Sequence, residues 1–273
     1  MTDKLQHLKS ILLECESVCI GYSGGVDSVF LARFALDVLG PERMLAVTGI
    51  SPAVPQVQLD VARGVARDFG IPHIEVDTLE FEDPNYTSNP VNRCYFCKSE
   101  LWVRLSAVAA QHGLRTVLDG SNADDASDYR PGMQAARERE VRSPLLEAGL
   151  TKAEIRAESK ALGLPTWEQP SAPCLSSRLA YGVAVTRERL GQVERAEAAL
   201  RALGYREFRV RHHGDCARLE FAPTELTRAA EAWAEAARAA REAGFGRVLL
   251  DVDGYRRGAL NAAVPLVQLG VSR

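Results

Sequence analysis

Two cysteines three positions apart, Cys94 and Cys97 in the segment NRCYFCK, stand out as residues able to do chemistry. Such a pair typically binds a metal, exchanges disulfides or carries sulfur. The chain has no second CxxC pair, so a complete metal site would need ligands from elsewhere. Cys174 is followed by Ser177 and Arg178 in PSAPCLSSR, and a nearby cation and hydroxyl donors favour a reactive thiolate. A buried structural cysteine is the alternative for Cys174.

The segment SGGVDS follows a β-rich run and opens a helical pattern. Gly24 and Gly25 would let the backbone turn tightly beside an anion, and the amides at the helix start would form a phosphate nest. Ser23 and Ser28 would add hydroxyl donors, while Asp27 could hold Mg²⁺ that bridges phosphates. The lysine of GxxxxGK[ST] is absent, which excludes a Walker A site. A plain turn with a helix cap is the alternative.

An acid-rich segment, DGSNADDASDYRPG, follows the fourth predicted strand. Acids at a strand end could hold Mg²⁺ or position a substrate, or they could cap a solvated turn, and the residues alone leave both open. Thr48 and Gly120 complete the predicted ATP-binding set, and Asp125 is included among the predicted catalytic residues. The acids and glycines of this segment are Asp119, Gly120, Asp124, Asp125, Asp128 and Gly132.

The segment FRVRHHGD alternates as a strand, which places Arg209 and Arg211 on one face. Two guanidinium groups there could fork onto a phosphate, or they could form a solvated face. His212 and His213 are adjacent on the predicted strand and would point to opposite faces. We therefore predict no metal at the two histidines.

Strands alternate with helical patterns in the first half of the chain, which predicts an α/β fold with a parallel sheet covered by helices on both faces. Ligands bind at the carboxyl ends of such strands, where the glycine-rich turn lies. The predicted strands are 18–22, 44–50, 73–78 and 116–122, and the predicted helices are 27–40, 57–69 and 98–112.

The second half predicts a smaller α+β domain in the order α-β-β-α-β. A helix with a capping box begins at Thr151, and a proline-rich loop follows it. We predict a first domain at 1–168, a linker carrying Cys174 at 169–185 and a C-terminal domain at 186–273. The C-terminal elements are predicted at 187–203, 207–213, 217–222, 223–243 and 247–253.

Composition is typical of a soluble globular protein: 273 residues, 46% hydrophobic and 25% charged, with a net charge of −3. The acidic balance argues against a nucleic-acid partner. No apolar run is long enough to span a membrane, and no secretory signal is visible, so we expect a cytoplasmic protein. Six cysteines without such a signal do not suggest disulfides. Cys15 and Cys19 are expected to be buried as small hydrophobic residues.

Taken together, SGGVDS, NPVNRCYFCK, DGSNADDASDYRPG, VRSPLLEAGLTKAEIR, PCLSSR and FRVRHHGD resemble the LarE family, within the PP-loop ATP pyrophosphatase superfamily. The resemblance runs from about Leu12 to Asn261. It implies a PP-loop sheet, ATP and Mg²⁺, and release of AMP and pyrophosphate. The implied reaction is sulfur transfer to a carboxylate of a pyridinium dicarboxylate mononucleotide, in synthesis of the nickel-pincer nucleotide of lactate racemase.

The same resemblance implies roles for several residues of the second half. Arg209 and Arg211 match positions associated with the phosphate of the acceptor nucleotide. Glu194, Glu197 and Glu220 are implied to lie near that part of the site. A homo-oligomer is also implied, with a hexamer as the candidate form.

In the LarE family the cysteine at the position of Cys174 is the sulfur source, and in some members it is consumed. This chain also has Cys94 and Cys97, as in members thought to bind a four-iron four-sulfur cluster through three cysteines. We therefore predict that the three cysteines bind such a cluster. The alternatives are a zinc site, a redox pair that regenerates a persulfide on Cys174, and sacrifice of Cys174 as the sulfur source. The sulfur donor is not identified.

Three other functions remain open from the sequence. A tRNA thiolase is also a PP-loop enzyme with cysteines, but the chain shows no RNA-binding module. An amide-forming ATP pyrophosphatase would leave the three cysteines without a purpose. A nucleotide sensor would bind ATP without turnover.

Overall fold

The structure is a computed structural model that describes residues 2–127 and 131–256. The predictions for Asp128 and for the chain beyond residue 256 lie outside the described residues. The strands are β1 (Val18–Gly21), β2 (Met44–Ile50), β3 (His73–Asp77), β4 (Thr116–Leu118), β5 (Phe208–His213), β6 (Cys216–Phe221) and β7 (Arg247–Leu250). The helices are α1 (Asp3–Cys15), α2 (Val26–Leu39), α3 (Gln56–Asp68), α4 (Pro84–Thr87), α5 (Arg93–Gln111), α6 (Pro131–Glu138), α7 (Pro144–Glu147), α8 (Lys152–Ala161), α9 (Arg187–Ala202), α10 (Pro223–Glu231) and α11 (Trp233–Glu242).

The chain divides into two compact units. The first consists of Met1–Glu80 and Cys94–Ala172, and the second of Phe81–Arg93 and Pro173–Arg273. No pattern in the sequence indicates that residues 81–93 belong with the C-terminal part. The predicted domain limits at 168 and 186 stay predictions.

The first unit contains a four-stranded sheet in the order β3-β2-β1-β4, with every pair parallel. Residue Val18 of β1 pairs with Met44 on one side and with Thr116 on the other, so β1 is central. The loop after β1 therefore begins at the carboxyl edge of the sheet, where ligands of parallel sheets bind. The predicted parallel sheet is confirmed.

Helices cover both faces of this sheet, as the sequence predicted. Val18 and Ile20 pack into a core with residues of α1, α2, α3 and α8. Cys19, between them, belongs to a separate core with Trp102 and Leu105 of α5. This alternation follows from the two-residue period of a strand. Burial also raises the pKa of the Cys19 thiol to about 12, which keeps it neutral.

Two element boundaries differ from the prediction. The strand predicted at 116–122 ends at Leu118, because the following backbone turns and the amide of Asp119 donates to the carbonyl of Arg142 at 2.9 Å. The helix predicted from Lys98 begins at Arg93, so both cysteines of NRCYFCK lie in its first turns.

The second unit contains a three-stranded sheet in the order β5-β6-β7, with β5 antiparallel and β7 parallel to β6. His212 is buried and His213 is exposed, which confirms that the two side chains point to opposite faces. The single alanine-rich helix predicted at 223–243 is wrong: it is α10 and α11, separated at Ala232, whose ψ of 25° leaves the helical region. No proline or glycine marks this break, and alanine itself favours helix.

Among the described residues, no helix is long and apolar enough to cross a membrane. The cysteines, all of which lie within the described ranges, form no disulfide. Cys15 and Cys19 are buried, as predicted.

Candidate active site

The SGGVDS segment forms a tight turn between β1 and α2. Gly24 has a φ of +72°, a left-handed conformation that favours glycine. A Cβ atom at Gly24 would lie 2.9 Å from the Cβ of Ala62, so α3 also excludes a side chain there. Gly25 has an ordinary φ of −82° and is the N-cap of α2, where it offers no side-chain cap, and its amide donates to the Ser23 hydroxyl at 3.4 Å. The first amides of α2 are therefore placed to bind an anion.

Hydroxyl groups close the turn from within. The Ser28 hydroxyl donates to the carbonyl of Gly25 at 3.1 Å and accepts from the amide of Ser23 at 3.2 Å. The two serine hydroxyls are 3.2 Å apart. Gln58 of α3 donates to the carbonyl of Ser23 at 2.8 Å, which fixes the loop against that helix. Both serine hydroxyls thus stabilise the turn, in addition to any hydrogen bonds that they would donate to a ligand.

Two further residues of the predicted ATP set have structural contacts. Gly120 approaches the start of α2 so closely that a Cβ would lie 3.1 Å from the amide nitrogen of Ser28. Its lack of a side chain lets the segment after β4 lie against the start of α2. Thr48 is buried, and its hydroxyl donates to the carbonyl of Tyr22 at 2.6 Å and lies 2.8 Å from Nε2 of His73. The Thr48 hydroxyl thus ties β2 to its neighbours.

Asp27 lies in the first turn of α2 and forms an ion pair with Lys152, the first residue of α8. Its other oxygen, Oδ1, is buried and has no hydrogen-bond partner among the described residues. Burial raises the pKa of Asp27, the charge of Lys152 opposes this rise, and the nearby carboxylate of Asp125 adds to it. A hydrogen bond with the Asn122 side chain also lowers the pKa of Asp27, but burial outweighs these contacts.

The acid-rich segment after β4 is a network of short turns. Asp119 accepts from the amide and the hydroxyl of Ser121, both at 3.0 Å. Asp124 accepts from the amide of Lys152 at 2.9 Å, and Asp125 accepts from the amide of Asn122 at 3.1 Å. These bonds are typical of a capped turn, and the cation site stays a prediction.

The chemistry of Asp27 fits a Mg²⁺ ion. Its partnerless buried oxygen and the neighbouring charge of Asp125 offer oxygen ligands to a hard cation. Magnesium in nucleotide sites is commonly held by one or two carboxylates, with phosphates and water as the other ligands. Two acids are therefore enough at such a site.

Cys94 and Cys97 lie one helical turn apart at the start of α5 and so share one face of that helix. Cys94 is exposed and Cys97 is partly exposed. Gly132 of α6 lies beside them, since a Cβ there would be 3.7 Å from the carbonyl of Cys94. The pair belongs to the first unit.

Cys174 lies in the second unit, in a loop held by a buried ion pair. Arg178 and Glu197 of α9 are both buried and bond through Nε at 2.8 Å and Nη2 at 3.1 Å. The Nη1 of Arg178 donates to the carbonyl oxygens of Pro173 at 2.6 Å and Cys174 at 3.1 Å. Arg178 thus anchors the backbone of the loop, and Ser177 adds a bond to the Cys174 carbonyl at 2.7 Å.

Two more arginines bind the same loop through its carbonyl oxygens. Arg93 donates to the carbonyl of Ser176 at 2.9 Å, and Arg211 donates to the carbonyl of Ser177 at 2.9 Å. The hydroxyl of Tyr86 lies 2.7 Å from the Ser176 hydroxyl. Hydrogen bonds from charged donors are stronger than neutral ones, so the backbone around Cys174 is firmly positioned.

The two arginines predicted to bind a phosphate are buried on one face of β5, as the alternation predicted. Arg211 pairs with Glu220 at 2.8 Å. Burial lowers the pKa of the Arg209 guanidinium, and the positive charge of Arg178 lowers it further. The solvated-face alternative is therefore wrong, and this cluster would gain from an anion.

Glu197 compensates part of this positive charge. Burial disfavours its ionised form, but Arg178 and then Arg201 hold its pKa below the ordinary range. Arg201 donates to Oε2 of Glu197 at 3.0 Å. Glu220 is also buried, whereas Glu194 of α9 is only partly buried.

Sequence reasoning missed three residues that shape these sites. Lys152 was noticed only as part of a helix start, although a lysine in a first helical turn is unfavourable and could have signalled another role. Gln58 and Arg93 carried no local signal, since each binds a carbonyl oxygen that is distant in the chain. Asn89 supports Arg93 by accepting from it at 2.6 Å.

Within residues 2–127 and 131–256, no group of three or more histidines, cysteines or acids is placed to hold a metal ion.

The parallel sheet in the order 3-2-1-4, together with the glycine turn between its central strand and α2, defines a PP-loop ATP-binding protein. The model of the NAD synthase family matches residues 3–88.

Similar proteins narrow this class. An uncharacterized protein of Synechocystis sp. is 45% identical over 263 residues, 96% of this chain and 98% of that protein. The pyridinium-3,5-bisthiocarboxylic acid mononucleotide synthase of Lactiplantibacillus plantarum is 34% identical over 270 residues, 98% of each chain. An uncharacterized protein of Methanocaldococcus jannaschii is 26% identical over 256 residues, 93% of this chain and 97% of that protein. The chain belongs to the LarE family of PP-loop enzymes.

Proposed function

We propose that this protein uses ATP to transfer sulfur to the carboxylates of a pyridinium dicarboxylate mononucleotide, in synthesis of the nickel-pincer nucleotide. The observation that carries the proposal is a PP-loop with an acidic cation site in a chain that is similar over its whole length to a pyridinium-3,5-bisthiocarboxylic acid mononucleotide synthase.

The first step activates the acceptor. One carboxylate oxygen of the substrate attacks the α-phosphorus of ATP, the bond between the α-phosphorus and its bridging oxygen breaks, and pyrophosphate leaves. The amides at the start of α2 bind the leaving pyrophosphate, and Asp27 with Asp125 would hold Mg²⁺. When bound, Mg²⁺ supplies charge stabilisation to the polyphosphate. The product is an acyl adenylate with AMP as a good leaving group.

The second step transfers sulfur. The Cys174 thiolate attacks the acyl carbon, and the bond to the AMP oxygen breaks, which gives a thioester. Removal of the Cα proton of Cys174 then breaks its Cβ–Sγ bond. The thiocarboxylate leaves with the sulfur, and residue 174 becomes dehydroalanine. Arg178, Arg93 and Arg211 position the loop that carries this thiol.

Consumption of Cys174 is the alternative to the sulfur source that we predict, which also uses Cys94 and Cys97. A cluster bound by these two residues and Cys174 would supply sulfide, so the protein thiols would survive turnover. A persulfide on Cys174 and a structural zinc site remain the alternatives. Iron and sulfide analysis distinguishes the cluster from both alternatives.

The acceptor nucleotide needs an anchor for its phosphate. Arg209 and Arg211 are buried cations; burial lowers the pKa of Arg209, and repulsion from Arg178 and then from Arg211 lowers it further. A phosphate there would relieve that repulsion. We propose these two residues as the phosphate site.

The two steps are separable by experiment. We expect Cys174→Ser to retain acceptor-dependent pyrophosphate release but to form no thiocarboxylate. Cys216→Ser, which changes a partly exposed cysteine of β6, is the matched control and should leave both products unchanged. Loss of pyrophosphate release in Cys174→Ser, with normal folding, would contradict the assignment of Cys174 to the second step.

A further inference from the structure

A glutamine of α3 links the phosphate loop to the end of the first unit. Gln58 is buried, and its side-chain Nε2 donates to the carbonyl of Ser23 at 2.8 Å. Its Oε1 accepts from Nε2 of Gln169 at 3.2 Å. Because a carbonyl oxygen can only accept, the Ser23 carbonyl fixes which way the Gln58 amide points and makes Gln169 the donor of the second bond.

The segment that carries Gln169 is anchored to α8. Arg156 donates through its two terminal nitrogens to the carbonyl oxygens of Trp167 and Gln169, both at 2.8 Å. The ammonium group of Lys160 lies 4.4 Å from the centre of the Trp167 ring. Cys174 follows five positions after Gln169 in the chain. The position of Gln169 therefore sets where the stretch of chain that leads to Cys174 begins.

The bonded amide groups form a chain that starts at the phosphate loop. The Ser23 carbonyl shares its peptide group with the amide of Gly24, whose positive φ is typical of a turn that points successive amides at one anion. A phosphate on the Gly24 amide would push electron density towards the Ser23 oxygen and make it a stronger acceptor. Hydrogen-bonded amides polarise one another, so the bond from Gln169 to Gln58 would strengthen as well.

The far end of this chain is weakly held. Oε1 of Gln169 is buried and has no hydrogen-bond partner among the described residues. Leaving a buried polar atom without a partner costs free energy, which offsets the bond to Gln58. The side chain of Gln169 therefore responds to a small gain in the strength of that bond.

We propose that Gln58 and Gln169 are positioning residues that couple nucleotide binding at the phosphate loop to the ordering of residues 166–172. This inference rests on the proposed function for the binding of ATP. ATP on the loop amides tightens the segment that leads to Cys174, so the chain before the thiol is held once ATP is bound. By reciprocity, the segment tightens nucleotide binding by the same factor.

The test follows hydrogen exchange of residues 166–172 by mass spectrometry in the full-length protein, with and without α,β-methylene-ATP and Mg²⁺. In the wild type the analogue should slow this exchange by at least about fivefold. In Gln169→Met, which keeps the bond between Gln58 and Ser23, the slowing should disappear. The affinity for the analogue, measured by calorimetry, should fall by the same factor. Gln169→Glu, which has the same shape but no donor, should behave as Gln169→Met does.

Two controls separate coupling from stability. Lys160→Ala removes the contact with Trp167 and should speed exchange with and without the analogue, while the ratio of the two rates stays unchanged. Gln56→Met removes another glutamine of α3, whose side chain donates to Asp60, and should change neither the ratio nor the affinity.

Each outcome is decisive. Slowing of equal size in the wild type and Gln169→Met overturns the inference, and so does a wild-type protein that binds the analogue without slower exchange. Loss of affinity in Gln169→Met with the slowing preserved would make Gln169 a direct nucleotide ligand, which also overturns it. The measurements involve neither the acceptor nor sulfur, so the inference and the proposed sulfur transfer can fail independently.

Discussion

Glycine is required at position 24 for two reasons: the backbone conformation there and the lack of room for a side chain. Its left-handed φ alone would cost an alanine about 1–2 kcal/mol. Ala62 also lies where a Cβ atom would need to go. The turn that presents the α2 amides therefore depends on glycine at this position.

We predict that Gly24→Ala weakens ATP binding by at least about tenfold and lowers the free energy of unfolding. Gly70 is a matched control, because its φ of +63° is similar and a Cβ there would meet no atom within 4 Å. Gly70→Ala should lower stability by about 1–2 kcal/mol and leave ATP affinity unchanged. Equal ATP affinities in the two variants would contradict the role of the turn.

The residues of the phosphate loop could be predicted because their chemistry is local. A phosphate site is indicated by the types and spacing of Ser23, Gly24 and Asp27 alone. Their partners could not be predicted, because Ala62 and Lys152 come from helices far along the chain. Sequence periodicity predicts a helix but not which residue of it meets the loop.

At the scale of elements, helix α9 holds the Cys174 loop through a buried ion pair. Arg178 and Glu197 form this ion pair, and Arg178 also donates a hydrogen bond to the backbone carbonyl of Cys174. Breaking a buried pair leaves an uncompensated charge, which costs about 3–5 kcal/mol. An exposed pair contributes at most about 1 kcal/mol.

We predict that Glu197→Gln lowers the free energy of unfolding by about 3–5 kcal/mol at neutral pH. Asp37→Asn, which removes one partner of an exposed pair with Arg33 in α2, should change it by less than about 1 kcal/mol. Denaturant unfolding measures both values. Equal losses in the two variants would mean that the buried pair does not hold the loop.

The pH dependence of this loss has a definite sign. The pKa of Glu197 is held below its ordinary value in the folded protein, so its contribution to stability is present above the unfolded pKa. The contribution is lost as pH falls through the folded pKa. The difference between wild type and Glu197→Gln should therefore shrink in acid.

The bounds of helices and strands were predicted well where the hydrophobic periodicity was strong. They were predicted poorly where tertiary contacts determine where an element begins or ends. The bounds of β2 were predicted correctly because an apolar run sits between turn residues. The start of α5 was placed five residues late, because Arg93 is held by Asn89 and Ser176 rather than by a local cap. The break at Ala232 had no signal in the sequence.

At the scale of the whole molecule, Cys94 and Cys97 belong to one compact unit and Cys174 belongs to the other. Whether the three cysteines bind a cluster is therefore tested by measuring the iron and sulfide content of the protein. The sequence predicted the fold of each unit but had no means of assigning residues 81–93 to the second.

We predict that protein prepared without oxygen contains about four iron atoms and four sulfides per chain. Replacing both Cys94 and Cys97 by serine should remove the iron and limit thiocarboxylate to the sulfur that Cys174 supplies. Cys216→Ser should keep the iron. A colourless, iron-free protein that sustains many turnovers would exclude the cluster.

The most direct test of the central claim follows oxygen atoms from the acceptor. The acceptor nucleotide is labelled with oxygen-18 in its carboxylates, and the products are measured by mass spectrometry. Activation by adenylation predicts that AMP gains one labelled oxygen, pyrophosphate gains none, and the acceptor carries sulfur in place of the lost oxygen. Unlabelled AMP, or ADP as the nucleotide product, would contradict the account.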